Sequence, residues 1–506
     1  MPWLTLLIAL PLAGAVVVWL LGNNATLARQ IGLVTAVANF GVALAMALAY
    51  VPTSTAFLQF TERHDWIPAF GVSYSVGVDG IALVLILMST MLVPVTMLAG
   101  WHEMEGAAGT VKGYVVLTLV LESMMVGVFA ATDVFLFYVF FEAILIPMYF
   151  LIGRFGGAKR SYAAIKFLLY SLLGGLLMLA SLIGLWVQAK QQFGAPTFDW
   201  ATLSHLKLDP TTEKWLFLGF FVAFAVKAPL VPVHTWLPDA AGEATPGSAT
   251  LMVGVLDKIG TFGMLRYLLV LFPAASLWFT PVVIVLSLVS IIYGALLAIG
   301  QSDIKRLIAY TSISHFGFIT LGIFAFTSQS QSGAVLYMVN HGFSTAALFL
   351  VAGFLISRRG SRFIEDFGGV NKIAPVMAGT FLLAGLSSLA LPGMSSFVSE
   401  FLVLAGTFTR YPAEAIIATT GIIFAALYIL LMYQRTMTGE PSAEVQATVT
   451  EINRREMVAI APVVAIIIAL GFVPQMLLNV INPTVDKTMQ VVAVADPKPA
   501  IEGANS

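Results

Sequence analysis

A single lysine interrupts an otherwise apolar run in the segment Phe220-Phe221-Val222-Ala223-Phe224-Ala225-Val226-Lys227-Ala228-Pro229. A charge at bilayer depth costs about 2.5–3.5 kcal/mol on insertion scales, so such residues are rarely incidental. Pro229 has no backbone donor and clashes with the preceding turn, which breaks the helix. In a membrane, a broken helix is tolerated only where protein or a water-filled cavity satisfies the freed backbone groups. The segment therefore points to an ion pathway.

The composition indicates a membrane protein. Of the 506 residues, 59% are hydrophobic and only 10% are charged, whereas soluble domains average about 25% charged residues. The net charge of −1 and the lack of a basic tract argue against nucleic-acid binding. Without cysteine, disulfides and cysteine-ligated zinc or iron–sulfur clusters are excluded. No phosphate-cradling glycine loop is present, so we expect no cofactor, metal or redox centre on this chain.

The apolar pattern predicts an all-α polytopic fold. A spanning helix needs about 20 apolar residues, and division at polar and Pro/Gly clusters gives about fourteen transmembrane helices, here called spans. Spans 7 and 12, roughly 215–238 and 375–408, look discontinuous. They lie five spans apart. Because five is an odd number of membrane crossings, the unit that contains span 12 is inverted relative to the unit that contains span 7. This predicts two inverted five-helix repeats (spans 4–8 and 9–13), a transporter plan with the ion site at the broken helices.

Basic residues predict the orientation. Loops with odd numbers hold about twice as many Lys and Arg residues as the even loops and the tail. By the positive-inside rule, the odd loops face the cytoplasm, and both termini lie on the non-cytoplasmic side of an inner or cytoplasmic membrane. The predicted units are an N-terminal three-helix segment (1–112), a first repeat (113–272), a second, inverted repeat (273–436), and a last span with a polar tail (437–506). We expect the tail after Val491 to be disordered.

Six ionisable residues lie inside apolar spans. Burial disfavours the charged forms of lysine and carboxylic acids, so both can change protonation near neutral pH, as histidine does. A nearby carboxylate favours the charged form of a lysine, and a change in their separation then works as a proton switch. Serial groups of this kind form a proton relay. The six candidate residues are Glu142, Lys227, Lys258, His315, His341 and Glu400.

Each candidate also has a structural explanation. Lys227 could be a snorkelling lysine at a helix end, and Glu142 could belong to an ion pair that only fixes helix packing. The two histidines could be satisfied core residues. Asp257 could neutralise the adjacent Lys258 and form a static pair. If all these explanations held, the chain would be a scaffold without a proton path.

Long motifs surround several of these residues: Glu142-Ala-Ile-Leu-Ile-Pro-Met-Tyr-Phe150, Lys227-Ala-Pro-Leu-Val-Pro-Val-His-Thr-Trp-Leu-Pro-Asp239, Asp257-Lys-Ile-Gly-Thr-Phe-Gly263 and Leu391-Pro-Gly-Met-Ser-Ser-Phe-Val-Ser-Glu-Phe401. These motifs resemble the antiporter-like subunits of respiratory complex I, and the resemblance extends from about residue 75 to 435. Most of that family carries a lysine at the position of Glu400, and the glutamate there is similar to the M type of subunit.

The resemblance implies roles for the six residues. Glu142 and Lys227 would form a coupling pair on spans 5 and 7. Lys258 would continue the path along the membrane midplane, with the two histidines as central relay groups. Glu400 would be the terminal site from which protons leave. One departure is Ala241, which stands where many relatives carry a histidine, so a proton-entry role of that histidine does not transfer.

The resemblance also implies partners. The chain would be a proton-translocating subunit of NADH:quinone oxidoreductase without redox catalysis of its own. FMN, the iron–sulfur clusters and quinone would belong to partner subunits. Other membrane-arm subunits, especially the L-type and N-type antiporter-like subunits, would contact it, together with lipids and protons but no nucleic acid. The alternative is a subunit of a multi-subunit Na⁺/H⁺ antiporter.

Overall fold

The computed structural model describes residues 1–20, 24–54, 56–103 and 110–497. Its first half contains a β-hairpin among apolar helices. These elements are α1 (Trp3–Leu20), α2 (Ala25–Ala49), β1 (Gln59–Ile67), β2 (Val72–Val78), α3 (Gly80–Ala99), α4 (Thr110–Ala130), α5 (Val134–Ala143), α6 (Leu145–Phe155), α7 (Arg160–Phe193), α8 (Trp200–Leu203), α9 (Pro210–Lys227), α10 (Trp236–Glu243), α11 (Pro246–Leu251), α12 (Lys258–Gly263) and α13 (Leu269–Leu271).

The second half is helical throughout its regular elements. They are α14 (Pro273–Ile299), α15 (Ile304–Phe324), α16 (Ser328–Arg359), α17 (Val370–Ile373), α18 (Pro375–Ser388), α19 (Ser395–Phe408), α20 (Pro412–Met437), α21 (Ala443–Thr448), α22 (Arg454–Phe472) and α23 (Gln475–Val492). Two π-helical segments, Met252–Leu256 and Met264–Leu268, join α11 to α12 and α12 to α13.

The helical membrane fold is confirmed. Among the described residues, 12 helical segments are long and apolar enough to cross a membrane, and α18 and α19 are shorter apolar helices. The broken regions at 210–243 and 375–408 would complete the predicted fourteen spans. That count and the inverted repeats stay predictions. The antiparallel hairpin of β1 and β2 was not expected from the sequence.

Three spans form the centre of the molecule. In the most apolar stretch of Pro246–Leu271, 100% of the residues are buried, and the share is 94% in both α15 and α16. In α1, α2, α7 and α20 the same share is only 33–39%, because these helices turn a broad face toward lipid. A helix that is buried on all sides cannot place a charge at the surface. The central spans are therefore where ionisable residues need protein partners.

Span 7 breaks where its sequence predicts. The helix α9 ends at Lys227, and α10 begins at Trp236. Side chains from within and outside the break occupy the freed backbone groups: the Trp236 indole donates to the Val226 carbonyl oxygen at 2.9 Å, and the Val231 amide donates to Ser290 Oγ at 3.0 Å. This is the protein-lined setting in which a broken helix is stable in a membrane.

Span 12 breaks in a similar way. The helix α18 ends at Ser388 and α19 begins at Ser395. Gly393 adopts a φ of 92°, which a residue with a Cβ rarely adopts. The Asn340 amide of α16 donates to the Ser395 carbonyl oxygen at 2.6 Å and so holds the start of α19. Both predicted discontinuities are therefore present in the fold.

The chain after the last span is ordered further than expected. The prediction of a disordered tail after Val491 is wrong for residues up to 497, because two backbone contacts fix them. The Ser328 amide donates to Asp496 at 2.8 Å, and the Arg410 guanidinium donates to the Ala495 carbonyl oxygen at 2.6 Å. The rest of the predicted tail, 498–506, lies outside the described residues.

Candidate proton-relay site

All six predicted residues lie within the described helices. Five of them are almost inaccessible to solvent, with 4% or less of their surface exposed: Lys227, Lys258, His315, His341 and Glu400. Glu142 is half-buried in the last turn of α5. Burial this complete requires a hydrogen-bond partner or a bound water for each polar atom. Hydrogen bonds and one ring contact place four of the six residues in a row, here called the connected chain, and leave Glu142 and Lys227 as a separate pair of groups.

The connected chain begins at Lys258, between the two π-helical segments. A π turn leaves a carbonyl without its usual helical donor, and the Lys258 ammonium donates to one of these, the Val253 oxygen, at 2.6 Å. Lys258 Nζ also lies 2.7 Å from His341 Nδ1. When Lys258 is charged, its ammonium donates this bond to the imidazole nitrogen. When the proton moves to His341, the imidazolium donates the same bond to the neutral lysine amine. The bond is kept in both states, so the proton can pass between the two groups.

The imidazole of His341 connects the lysine to the next group. Its ring centroid lies 5.3 Å from that of His315. Within the described part of the chain, His341 Nε2 is buried and has no hydrogen-bond partner. An imidazole can accept a proton at one nitrogen and release it at the other. The two imidazole rings are therefore neighbours in the same buried core.

A tyrosine completes the chain to Glu400. Tyr337 Oη lies 2.7 Å from His315 Nδ1, and the same hydroxyl donates to Glu400 Oε2 at 3.0 Å. On the other edge of the ring, His315 Nε2 lies 3.3 Å from Ser388 Oγ, at the break of span 12. Tyr337 therefore joins His315 to Glu400, while the hydrogen-bonded pair of Lys258 and His341 lies next to the His315 ring.

Glu142 and Lys227 remain apart from this chain. Among the described residues, neither Lys227 Nζ nor Glu142 Oε1 has a hydrogen-bond partner, so no hydrogen bond joins these two atoms. The Lys227 ammonium instead faces two aromatic rings, 5.1 Å from the centroid of Phe141 and 5.5 Å from that of Phe167. The two groups influence each other electrostatically without a hydrogen bond between them, and their role as a coupling pair stays a prediction.

Asp257 does not form the static pair with Lys258 that the sequence allowed. In the described structure, both of its carboxylate oxygens are buried without a hydrogen-bond partner, while Lys258 bonds to Val253 and His341. Adjacent side chains of a helix point in different directions around its axis, because a turn holds about 3.6 residues. The buried carboxylate of Asp257 is thus a further unpartnered polar group in the same core as Lys227.

Tyr337 is not among the residues predicted from the sequence, because an isolated tyrosine in an apolar helix carries no charge and is usual packing material. A signal was nevertheless available, because Tyr337 and His341 are four residues apart and lie on one face of α16. Among the described residues, no cluster of three or more His, Cys, Asp or Glu side chains could hold a metal ion.

A polar pocket of about 390 Å³ lies at the end of the molecule where span 10 begins. Arg362 bridges Glu243 and Asp303, each at 2.8 Å, and Arg306 pairs with Asp239 at 2.5 Å. Ala241, the position where many relatives have a histidine, lies fully buried in α10 beside this pocket. This charged pocket therefore lies close to the buried residues of α10.

Comparison with known proteins bears on this arrangement. A family model described as the membrane region of the NADH:quinone oxidoreductase and Mrp antiporter proteins matches residues 131–425. The chain belongs to this family. The match covers both broken spans and all six candidate residues.

Relatives with curated names cover almost the whole chain. NADH-quinone oxidoreductase subunit M of Mycobacterium tuberculosis is 50% identical, over 99% of this chain and 96% of that protein. Subunit M of Rhodobacter capsulatus is 38% identical, and NADH-ubiquinone oxidoreductase chain 4 of Marchantia polymorpha is 35% identical; in both cases 96% of each chain is covered. The resemblance to the M type that Glu400 indicated is confirmed.

Solved structures agree with the fold. A chain of respiratory complex I from Thermus thermophilus superimposes with a TM-score of 0.87 at 30% identity, over 97% of this chain and 99% of that chain. A chain of the Mrp complex from Dietzia superimposes with a TM-score of 0.83 at 23% identity, over 97% of this chain and 99% of that chain. The second likeness concerns the fold alone.

Proposed function

We propose that this chain is a proton-translocating membrane subunit of NADH:quinone oxidoreductase. The observation that carries the proposal is a row of neighbouring buried groups: Lys258 is hydrogen-bonded to His341, the two imidazole centroids lie 5.3 Å apart, and His315 is hydrogen-bonded through Tyr337 to Glu400. A set of hydrogen-bonded, ionisable groups in a membrane core is the arrangement that a proton relay requires. The curated relatives of this chain are named as subunits of NADH-quinone oxidoreductase.

Glu142 and Lys227 would control the input to this chain. Their charged atoms lack direct partners in the described structure, so water or a conformational change must supply them. When Glu142 moves toward Lys227, the lysine keeps its proton, and when Glu142 moves away, burial favours release. The unpartnered carboxylate of Asp257 would accept that proton and pass it toward Lys258.

The energy scale suits such a switch. Moving one proton against 100 mV requires about 2.3 kcal/mol. One pKa unit corresponds to about 1.4 kcal/mol, so modest changes at successive groups suffice. Electron transfer from NADH to quinone, with FMN and iron–sulfur clusters, would occur in partner subunits, and this chain would carry no redox chemistry. L-type and N-type antiporter-like subunits would adjoin it, and both termini would lie on the non-cytoplasmic side.

The test uses Glu142→Gln in the intact complex in native membranes. We expect NADH:quinone activity and proton uptake into sealed vesicles to fall together, while NADH oxidation by an artificial acceptor that needs only the peripheral arm stays unchanged. Glu213→Gln is the matched control: Glu213 is a buried glutamate whose Oε1 accepts from the Ala275 amide at 3.0 Å, a role that glutamine also fills. Full pumping in Glu142→Gln would contradict the proposal.

A subunit of a Na⁺/H⁺ antiporter is the second candidate, since the family description includes Mrp antiporters. It predicts proton movement that depends on a sodium gradient and not on NADH. Vesicles that hold the native complex distinguish the two: proton uptake driven by NADH without sodium supports the oxidoreductase, whereas exchange of Na⁺ for H⁺ without NADH supports the antiporter.

A further inference from the structure

The phenol of Tyr337 is the last described side chain before Glu400. It is 1% exposed and lies on α16, between a histidine of α15 and a glutamate of α19. Its hydroxyl contacts both of them, at 2.7 Å and 3.0 Å. The one hydroxyl group of Tyr337 therefore contacts both the carboxylate of Glu400, which accepts from it, and an ionisable nitrogen of His315.

Glu400 depends on this contact. In the described part of the chain, the Tyr337 hydroxyl is the side-chain donor that reaches its carboxylate. A second buried phenol, Tyr428, lies in α20, and its hydroxyl has no hydrogen-bond partner in the described structure. The two tyrosines thus share burial, residue type and the electrostatic influence of Glu400, but among the described residues only the Tyr337 hydroxyl is hydrogen-bonded to it and to a second ionisable group.

We infer that Tyr337 is itself a proton-carrying residue, the one that transfers protons from His315 to Glu400. The inference rests on the proposed function and adds to it a residue and a direction of transfer. A phenol bonded on both sides can accept one proton while it donates another, so no separate water is needed at this step. Proximity of both partners before transfer removes most of the entropic cost.

One proton enters the Tyr337 hydroxyl from His315 as another leaves it for Glu400. The Nδ1–H bond of a protonated His315 breaks as its proton bonds to Tyr337 Oη, and the original Oη–H bond breaks as that proton bonds to Glu400 Oε2. The imidazolium becomes a neutral imidazole, the carboxylate becomes a carboxylic acid, and the phenol is neutral before and after. The phenol must then rotate its O–H bond back toward Glu400 before the next proton can pass.

The experiment compares Tyr337→Phe, Tyr428→Phe and Glu400→Gln in the intact complex in native membranes. Each tyrosine variant removes one buried oxygen and keeps the ring. We measure proton uptake, NADH:quinone activity in H₂O and D₂O, and the artificial-acceptor rate as a control for assembly. For Tyr337→Phe we expect a drop in proton uptake on the order of 10²-fold, the lower range for a proton-transfer group, and a larger D₂O effect. Tyr428→Phe is expected to stay within twofold of the wild type.

The outcomes separate the inference from the proposed function. If Glu400→Gln abolishes uptake while Tyr337→Phe pumps at the wild-type rate, the relay exists but bypasses Tyr337, and the inference is overturned. Equal losses in both tyrosine variants with an unchanged D₂O effect would show a packing role and overturn it too. If Glu400→Gln and Tyr337→Phe both pump normally, the proposed function itself fails. A selective loss in Tyr337→Phe with a raised D₂O effect supports the inference.

Discussion

Lys227 is surrounded by rings rather than by a bonded counter-ion. Its ammonium lies above Phe141 and Phe167, and a desolvated cation–π contact contributes about 2 kcal/mol. That stabilisation is weaker than a buried ion pair and does not fix a proton in place. The rings stabilise the charged form of Lys227 only weakly, so a small movement of a nearby carboxylate has a large effect on whether the lysine keeps its proton. A residue that must alternate between two protonation states needs this kind of environment.

Gly175 of α7 determines where the Glu142 carboxylate lies. A Cβ added at Gly175 would overlap with Glu142 Oε1, so Gly175→Ala must displace the carboxylate. We expect a drop in NADH-driven proton uptake of about tenfold or more, since a misplacement of about 1 Å can cost up to about 10²-fold. Gly41→Ala in α2 is the control, because a Cβ there meets nothing within 4 Å. Equal pumping in both variants would show that the carboxylate position is unimportant.

The positions of the candidate residues could be predicted from sequence, but their contacts could not. An ionisable residue in an apolar span is visible in a single sequence, and so are the breaks at Pro229 and Pro392. The direction of each side chain depends on helix geometry that no local signal reports. Asp257 and Lys258 look like a pair because they are adjacent, yet Lys258 is hydrogen-bonded to Val253 and His341 instead.

Elements differ in how clearly their sequence announces them. The long helices have apolar runs of the right length, and both discontinuities have proline. The hairpin was missed because β1 carries Glu62, Arg63, His64 and Asp65 and looks like a polar loop. Only β2 has a strand signal, the alternation of Val72, Tyr74, Val76 and Val78. The π-helical segments have no proline or glycine pattern that separates them from an α-helix.

The close approach of α12 and α9 depends on Gly260. A Cβ there would lie 2.5 Å from the Phe224 oxygen and 2.6 Å from the Ala228 nitrogen, both backbone atoms beside Lys227. We expect Gly260→Ala to destabilise the fold by about 1–3 kcal/mol, the usual cost of overpacking, and to lower the amount of assembled complex on a native gel. Gly254→Ala is the matched control in the same span, since its Cβ would make ordinary contacts at 3.4 Å and 3.5 Å. Similar assembly of both variants would contradict this reasoning.

At the scale of the molecule, long-range pairs tie the outer segments to the central spans. The most buried is Arg266 with Asp79, at 2.6 Å and with both side chains 2% exposed. Asp79 also accepts from the Ala82 amide and caps α3. The C-terminal helix α23 makes a second such contact: Thr484 Oγ1 accepts from the Gly80 amide at 3.0 Å. The start of α3 is therefore fixed both to the central span 8 and to α23.

This ion pair gives a prediction about stability. Arg266→Met leaves Asp79 buried and uncompensated, which typically costs 3–5 kcal/mol. Adding Asp79→Asn removes the charge and keeps a good helix cap, so we expect the double variant to recover most of the loss. The measurement is the temperature at which the detergent-solubilised complex loses activity. A double variant as unstable as Arg266→Met would show that the arginine acts through packing against Trp200 and Phe262 instead.

The proposed orientation can be tested because the chain has no cysteine. Asp65→Cys places a thiol on the exposed strand β1, and Glu365→Cys places one on an exposed short helix, Ile364–Asp366, between spans 11 and 12. The excess of Lys and Arg in odd loops puts the second site in the cytoplasm and the first outside. A membrane-impermeant maleimide should therefore label Asp65→Cys in right-side-out vesicles and Glu365→Cys in inverted ones, read as a gel shift of this chain. Labelling of both sites from one side would contradict the predicted topology, because an odd number of spans must separate two positions on opposite faces.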